Sequence, residues 1–143
     1  MIGICRGCAA VLLVWAGAAQ AFTLVATSES PLIDEASLRA QTQKLAAEIG
    51  QRIPDDPKVK VYVYTRAQAT PGTPQHYIYL HRVELRRAFN AQTPPYPYAG
   101  YLPIETVERY GVGDAPEARA ALDQALRTFF TRLKNVDPAQ AFQ

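Results

Sequence analysis

Cysteine is almost missing from this sequence: the 143 residues contain two, Cys5 and Cys8, both near the N-terminus. The chain also has one Met, one Trp and a formal net charge of only +2. So small a charge excludes a strongly basic nucleic-acid coat and an acidic tail. The sequence has no Gly-x-Ser-x-Gly motif, no His-Glu-x-x-His motif and no glycine-rich phosphate loop. Its function therefore cannot be inferred from a short catalytic motif.

The residues that are present are those of one folded domain. Hydrophobic residues make up 48% of the chain, and eight Tyr and five Phe exclude wholesale disorder. A chain of 143 residues has room for one hydrophobic core but not for two.

Residues 1–21 have the features of a secretory signal peptide. Arg6 is their only charge, and an apolar run at 9–16 follows it. The Ala-Gln-Ala sequence at 19–21 places small residues where signal peptidase accepts them. The apolar run is shorter than the roughly 20 residues that span a bilayer. We expect cleavage before Phe22 and a periplasmic or secreted mature chain; an uncleaved N-terminal anchor is the alternative.

The expected mature chain, residues 22–143, contains no cysteine. It can therefore form no disulfide and has no Cys metal ligand. Loss of Arg6 lowers the formal net charge from +2 to +1. An exported domain without disulfides must be stabilised by its hydrophobic core, which is feasible at this length.

Two segments predict helices, because apolar residues recur in them at helical spacing. The first begins at Asp34, ends before Pro54, and has the stripe Leu38, Thr42, Leu45, Ala46, Ile49 and Ile53. The second begins with the capping-box pair Asp114 and Glu117. Its apolar stripe is Leu122, Ala125, Leu126, Phe129, Phe130 and Leu133.

Residues 22–27, 58–65 and 76–85 predict strands by their β-branched and alternating residues. We expect the second and third to pair as an antiparallel hairpin. The Pro- and Tyr-rich segment 92–103 predicts an extended chain with polyproline character instead of regular structure. Residues 103–110 permit either a short helix or a strand. The predicted fold is α+β: a small antiparallel sheet of three to four strands, covered on one face by two amphipathic helices.

Tyrosine is the unusual feature, since all eight lie between positions 62 and 110. In the functional interpretation they form an aromatic contact surface with nearby basic residues. Its candidate residues are Lys58, Lys60, Tyr62, Tyr64, Tyr77, Tyr79, Tyr96, Tyr98 and Tyr101. In the structural interpretation the tyrosines form cross-strand pairs that stabilise the sheet.

The alternation of the third strand leaves the position of two tyrosines open. If Ile78 and Leu80 face the core, Tyr77 and Tyr79 lie outside beside the tyrosines of the second strand. Val83 shares their parity, so either a bulge switches the face or these two tyrosines belong to the core.

Local charge is biased between residues 58 and 90, where six Lys and Arg residues accompany a single acidic residue, Glu84. Such an excess attracts acidic partners. The two histidines, His76 and His81, are five residues apart, which on a strand places them on opposite faces. We therefore expect no shared metal, ordinary surface histidines, no cofactor and no identifiable catalytic residue.

These features predict an exported, non-catalytic binding or inhibitory module. Its partner would be an envelope protein, a cognate enzyme or toxin, or an anionic cell-wall polymer; nucleic acid is not expected, nor is a transmembrane segment after signal cleavage. One alternative is a small cofactor-free hydrolase with carboxylates that the sequence does not identify. Another is an accessory subunit of a secretion or outer-membrane assembly.

Overall fold

A computed structural model describes residues 22–50, 53–91 and 98–135. In chain order the elements are β1 (Thr23–Glu29), α1 (Glu35–Ile49), β2 (Val59–Ala69), β3 (Tyr77–Ala91), β4 (Tyr98–Gly113) and α2 (Ala115–Lys134). Four strands and two helices confirm the α+β class. The predicted signal segment and residues 92–97 of the Pro- and Tyr-rich segment lie outside the described residues.

The four strands form one sheet in the order β1-β2-β3-β4. β1 runs parallel to β2, whereas the β2–β3 and β3–β4 pairs are antiparallel. The sheet is therefore mixed, and the expectation of a purely antiparallel sheet was wrong. The reason is α1, which connects β1 to β2 and returns the chain to the end of the sheet from which β1 began. The predicted β2–β3 hairpin is confirmed.

β4 occupies much of the segment that was expected to lack regular structure. Residues 98–103 are part of this 16-residue strand, and the ambiguous residues 103–110 are strand as well. Leu85 lies opposite Glu105, but the next residue, Arg86, lies opposite Pro103. Ile104 is thus an extra residue, a β-bulge. β4 accommodates a proline because it is an edge strand and the proline adjoins the bulge.

Both helix starts agree with the sequence. The Asp34 side chain accepts a hydrogen bond from the backbone N–H of Ser37 at 2.8 Å. In α2, Asp114 accepts from the Glu117 backbone N–H at 2.8 Å and Glu117 accepts from that of Asp114 at 2.9 Å. This reciprocal pair is the predicted capping box. α1 ends earlier than Pro54, at Gly50, whose φ of 72° is the left-handed conformation that glycine favours.

The hydrophobic core contains alternate residues of the strands together with one stripe of each helix. Val59, Val61 and Val63 of β2 are buried in the same cluster as Phe129 and Phe130 of α2. We call this side of the sheet the core face. The alternate residues point the other way, to the outer face. Within the described ranges, neither helix is both long enough and apolar enough to cross a membrane.

Candidate functional site

Four side chains from three strands stack on the outer face, and we call them the Tyr62 cluster: Lys60, Tyr62, Arg86 and Tyr101. The Tyr62 and Tyr101 rings are 6.1 Å apart and tilted by 60°. The Lys60 ammonium lies 4.6 Å from the centre of the Tyr101 ring, and the Arg86 guanidinium lies 4.2 Å from that of Tyr62. A side-chain hydrogen bond with Tyr101 raises the pKa of Lys60. Each ring therefore has a cation over it, the geometry of a cation–π pair.

A buried carboxylate fixes the position of the Arg86 guanidinium. Glu84 is only 8% exposed, and its Oε2 accepts a hydrogen bond from Arg86 Nε at 2.6 Å. The Nε of Arg82 is 4.0 Å from the other carboxylate oxygen. An unpaired charge at this depth would be costly to desolvate, so the two arginines stabilise Glu84. In return, Glu84 holds Arg86 over Tyr62.

Further ion pairs surround the cluster. Arg82 Nε also lies 2.7 Å from Glu108 Oε2 of β4, and this hydrogen bond raises the pKa of Arg82. The Tyr64 hydroxyl donates to Glu29 Oε2 at 3.0 Å. Desolvation is the main cause that raises the pKa of Tyr64, and the hydrogen bond to Glu29 raises it further. Tyr64 is therefore a neutral hydrogen-bond donor at physiological pH.

Ion pairs neutralise part of the local excess of basic residues that was counted along the sequence. Three of the six basic residues between positions 58 and 90 contact carboxylates on the outer face. The pairs are Arg66–Glu29, Arg82–Glu108 and Arg86–Glu84. Two of the carboxylates come from β1 and β4, outside the stretch in which the excess was counted. Most of the arginine charge on the outer face is thus paired, and Lys60 remains as a cation that contacts a ring instead of a carboxylate.

A groove of about 310 Å³ runs along this face where β1, β2 and β3 adjoin. Its lining residues are Val25, Thr27, Tyr62, Val63, Tyr64, Arg82, Glu84 and Arg86. The volume is at the lower end of small-molecule pockets. A groove of this size can hold one side chain of a partner or a small ligand.

The structure brings together only some of the predicted contact residues. Lys60, Tyr62 and Tyr101 are in contact, and Tyr64 follows on the same face. Lys58 shares a second groove of about 560 Å³ with Tyr101. Two other candidates are not placed by the structure. Tyr96 lies outside the described residues, and Tyr98 is in β4 but its side chain is not described.

Tyr77 and Tyr79 lie on the core side, away from the Tyr62 cluster. The described pairs of β2 and β3 keep one register, with Tyr79 opposite Ala67. Because side chains alternate along a strand, Ile78 lies on the outer face, where it is 56% exposed. Of the two explanations that the sequence left open, the core position is correct, because no bulge interrupts these pairs.

His81 is buried, and the expectation of a surface histidine was wrong. It is 2% exposed, its Nδ1 lies 2.7 Å from Thr65 Oγ1, and its Nε2 lies 2.9 Å from the Ala118 carbonyl oxygen. A carbonyl can only accept, so Nε2–H donates and Nδ1 accepts from the Thr65 hydroxyl. The ring also stacks on Tyr79, with centroids 5.1 Å apart. Desolvation lowers the His81 pKa, and the neutral ring links β3 to α2.

The described residues contain no group of three or more His, Cys, Asp or Glu side chains that could hold a metal ion. Sequence reasoning missed Glu84 and Arg86 as a pair, although a spacing of two on a strand places them on one face. The burial of Glu84 depends on β4, which lies beside it and which the sequence left open as a helix or a strand over residues 103–110.

Comparison of the chain with family models, curated proteins and solved structures found no match. The function is therefore inferred from the geometry of the outer face.

Proposed function

We propose that this chain is an exported, non-catalytic binding module that contacts a partner protein of the cell envelope through the outer face of its sheet. The observation that carries the proposal is the Tyr62 cluster, in which aromatic rings and an arginine are held ready on that face. Tyrosine and arginine are enriched among the residues that dominate the binding energy of protein interfaces. Export rests on the signal-peptide features of residues 1–21.

The two helices support this choice of face. Their buried residues belong to the same cluster as the core-face valines of β2. We infer that α1 and α2 both cover the core face with their apolar stripes, which leaves the outer face available. With strands about 4.8 Å apart and a rise of about 3.4 Å per residue, the 49 strand residues give one face of the sheet a flat area of roughly 800 Å². This is close to the roughly 800 Å² that one partner contributes to a standard interface.

The charge pairing favours a protein over an anionic polymer. A polymer-binding surface needs unpaired cations along its length, whereas Arg82 and Arg86 are already paired with Glu108 and Glu84. A surface of paired charges loses little entropy when it is covered, because its side chains are already ordered. Exposed apolar residues extend the face beyond the cluster: Tyr110 is 80% exposed and Val112 is 65% exposed.

The test is capture from an envelope extract with the purified chain, followed by titration of the captured protein. Tyr62→Ala should weaken binding at least five-fold, which corresponds to about 1 kcal/mol. Tyr77→Ala is the matched control, because it removes a half-buried tyrosine from the other face. It should leave the dissociation constant unchanged.

Thermal melting separates a contact from a structural role. If Tyr62→Ala binds normally but melts lower, Tyr62 stabilises the sheet and the proposal is wrong. Equal losses of affinity in both variants would also contradict it. Retention of the chain by purified cell-wall polymer, without a captured protein, would identify the polymer as the ligand and overturn the choice of a protein.

A further inference from the structure

The two edges of the sheet differ in how their backbone is protected. On β1, the guanidinium of Arg39 donates a hydrogen bond at 2.7 Å to the carbonyl oxygen of Leu24. On β4, the backbone groups that point away from β3 lie at the free edge of the sheet. Between residues 105 and 113, no side chain or loop among the described residues hydrogen-bonds to these groups. An unprotected edge strand is a template for another strand, and soluble proteins normally block such edges.

The charged residues of β4 favour one arrangement of a second strand paired with this edge. Its charged residues are Glu105, Glu108 and Arg109. The register with β3 places Glu105 and Arg109 on the core face, opposite Leu85 and His81. Arg109 is exposed, and it has no ion-pair partner in the part of the chain that the structure describes. It is a free cation four residues from an anion on the same face.

We propose that the chain forms a two-fold symmetric dimer in which β4 pairs antiparallel with β4 of a second copy, centred on Val107. The two-fold axis is then perpendicular to the sheet, and each residue lies opposite one on the same face. Because side chains alternate between faces, two opposed residues lie on the same face only if both numbers are odd or both are even.

Charge complementarity fixes the centre. With Val107 opposite itself, Glu105 lies opposite Arg109 of the second copy, and the symmetry creates this pair twice. Centring on Glu108 or Arg109 instead places identical charges opposite each other, which is destabilising. Among centres from Thr106 to Tyr110, Val107 alone opposes residues of opposite charge.

The bulge is compatible with the same pairing. If Ile104 remains the extra residue, Pro103 lies opposite Tyr110 of the second copy on the outer face. This contact would cover part of Tyr110, the most exposed large hydrophobic residue of the described chain. The dimer pairs backbone groups at the sheet edge, whereas the contact proposed above is centred on the Tyr62 cluster; Tyr110 lies at the boundary and belongs to both surfaces.

The first experiment measures the dimer dissociation constant of the full chain by analytical ultracentrifugation. Arg109→Glu should raise it ten-fold or more, because two attractive pairs become two repulsive ones. The combined variant Glu105→Arg, Arg109→Glu and Arg132→Glu should restore it. Arg132 is included because it lies 2.9 Å from Glu105 within the monomer. Lys44→Glu on α1 is the matched control, since it makes the same charge change far from β4, and it should leave the constant unchanged.

The second experiment tests the register by disulfide crosslinking. Thr106 lies opposite Glu108 of the second copy in the proposed pairing. Opposed residues have Cα separations of about 4.5–5.5 Å, which a disulfide can bridge. Thr106→Cys and Glu108→Cys chains, each with Cys5→Ser and Cys8→Ser, should crosslink when mixed but not singly. A monomer up to millimolar concentration, or a crosslink in either chain alone, overturns the proposal. A dimer that is insensitive to Arg109→Glu also overturns it.

Discussion

Acid should destabilise this protein through His81. The ring is 2% exposed, and both of its nitrogens are hydrogen-bonded when it is neutral. A proton added at Nδ1 would force the Thr65 hydroxyl to accept instead of donate, and it would place a charge in the core. Desolvation therefore lowers the His81 pKa below its unfolded value of 6.5.

The direction and size of the effect follow from proton linkage. Above about pH 6.5 both states of His81 are neutral, so this residue adds no pH dependence. Below that pH the unfolded chain binds a proton that the folded chain does not. The free energy of unfolding then falls by up to about 1.4 kcal/mol per pH unit until the pKa of the folded state is reached.

The assay is urea unfolding of the wild type and His81→Gln at a series of pH values from about 7.5 to 5. Subtracting the two curves removes the contribution of the other titratable groups. The wild type should lose its advantage over the variant as the pH falls. Parallel curves over the whole range would refute the argument, because they would show that His81 binds protons equally in both states.

The Thr65 hydroxyl gives a second measure of the same site at neutral pH. Thr65→Val keeps the shape of the side chain but leaves Nδ1 of buried His81 without a donor. The expected loss is about 1–3 kcal/mol. Thr42→Val is the matched control, because the Thr42 hydroxyl donates to the Leu38 carbonyl in its own helix at 2.7 Å. It should cost less, since that carbonyl keeps its helical hydrogen bond.

Three further predictions concern the core, the cap of α2 and export. Phe129→Ala should lower the free energy of unfolding in urea by about 3–5 kcal/mol, because Phe129 is fully buried. Thr131→Ala, at an exposed position of the same helix, should change it by no more than about 0.5 kcal/mol. Similar losses in the two variants would contradict the core assignment. Asp114→Ala should lower stability by about 0.5–2 kcal/mol through loss of the capping box, and an unchanged melt would argue against it. N-terminal sequencing of envelope-fraction protein should begin at Phe22, and adding dithiothreitol to that protein should not move its melting midpoint. An intact Met1 would exclude cleavage.

The helices could be predicted because their signals are local. Asp114 and Glu117 are three residues apart, and both halves of the capping box lie within one turn. The stripe that ends at Leu133 is a property of one segment, and its residues are buried as the spacing indicated. No information from another element was needed.

The sheet could be predicted only in part, because strand direction and edge position are tertiary properties. The alternating valines of β2 identified a strand, but nothing in β1 showed that it would run parallel to β2. Pro103 argues against a central strand, so segment 92–103 was expected to lack regular structure and residues 103–110 were left open as a helix or a strand. An edge strand with a bulge tolerates the same proline, and the sequence did not reveal that β4 lies at the edge.

The candidate site, like the fold, could be predicted from the sequence only where the signal is local. Lys60 and Tyr62 could be placed on one face from their spacing. Tyr101 reaches Tyr62 only because β4 pairs with β3 in a particular register. The apparent excess of positive charge had the same origin: Glu29 and Glu108 are distant in sequence, so a count along one stretch of chain could not include them.

The two proposals together predict the shape of the binding surface. A two-fold axis perpendicular to the sheet leaves both outer faces pointing in the same direction. β4–β4 pairing would therefore produce a continuous eight-stranded sheet with two Tyr62 clusters on one side. A partner with two copies of its binding element would engage both clusters, and the second contact would form at the high effective concentration of an intramolecular event. An interface of moderate affinity on each subunit would then suffice for stable association, which is consistent with a face whose arginines are already paired and which is only partly apolar.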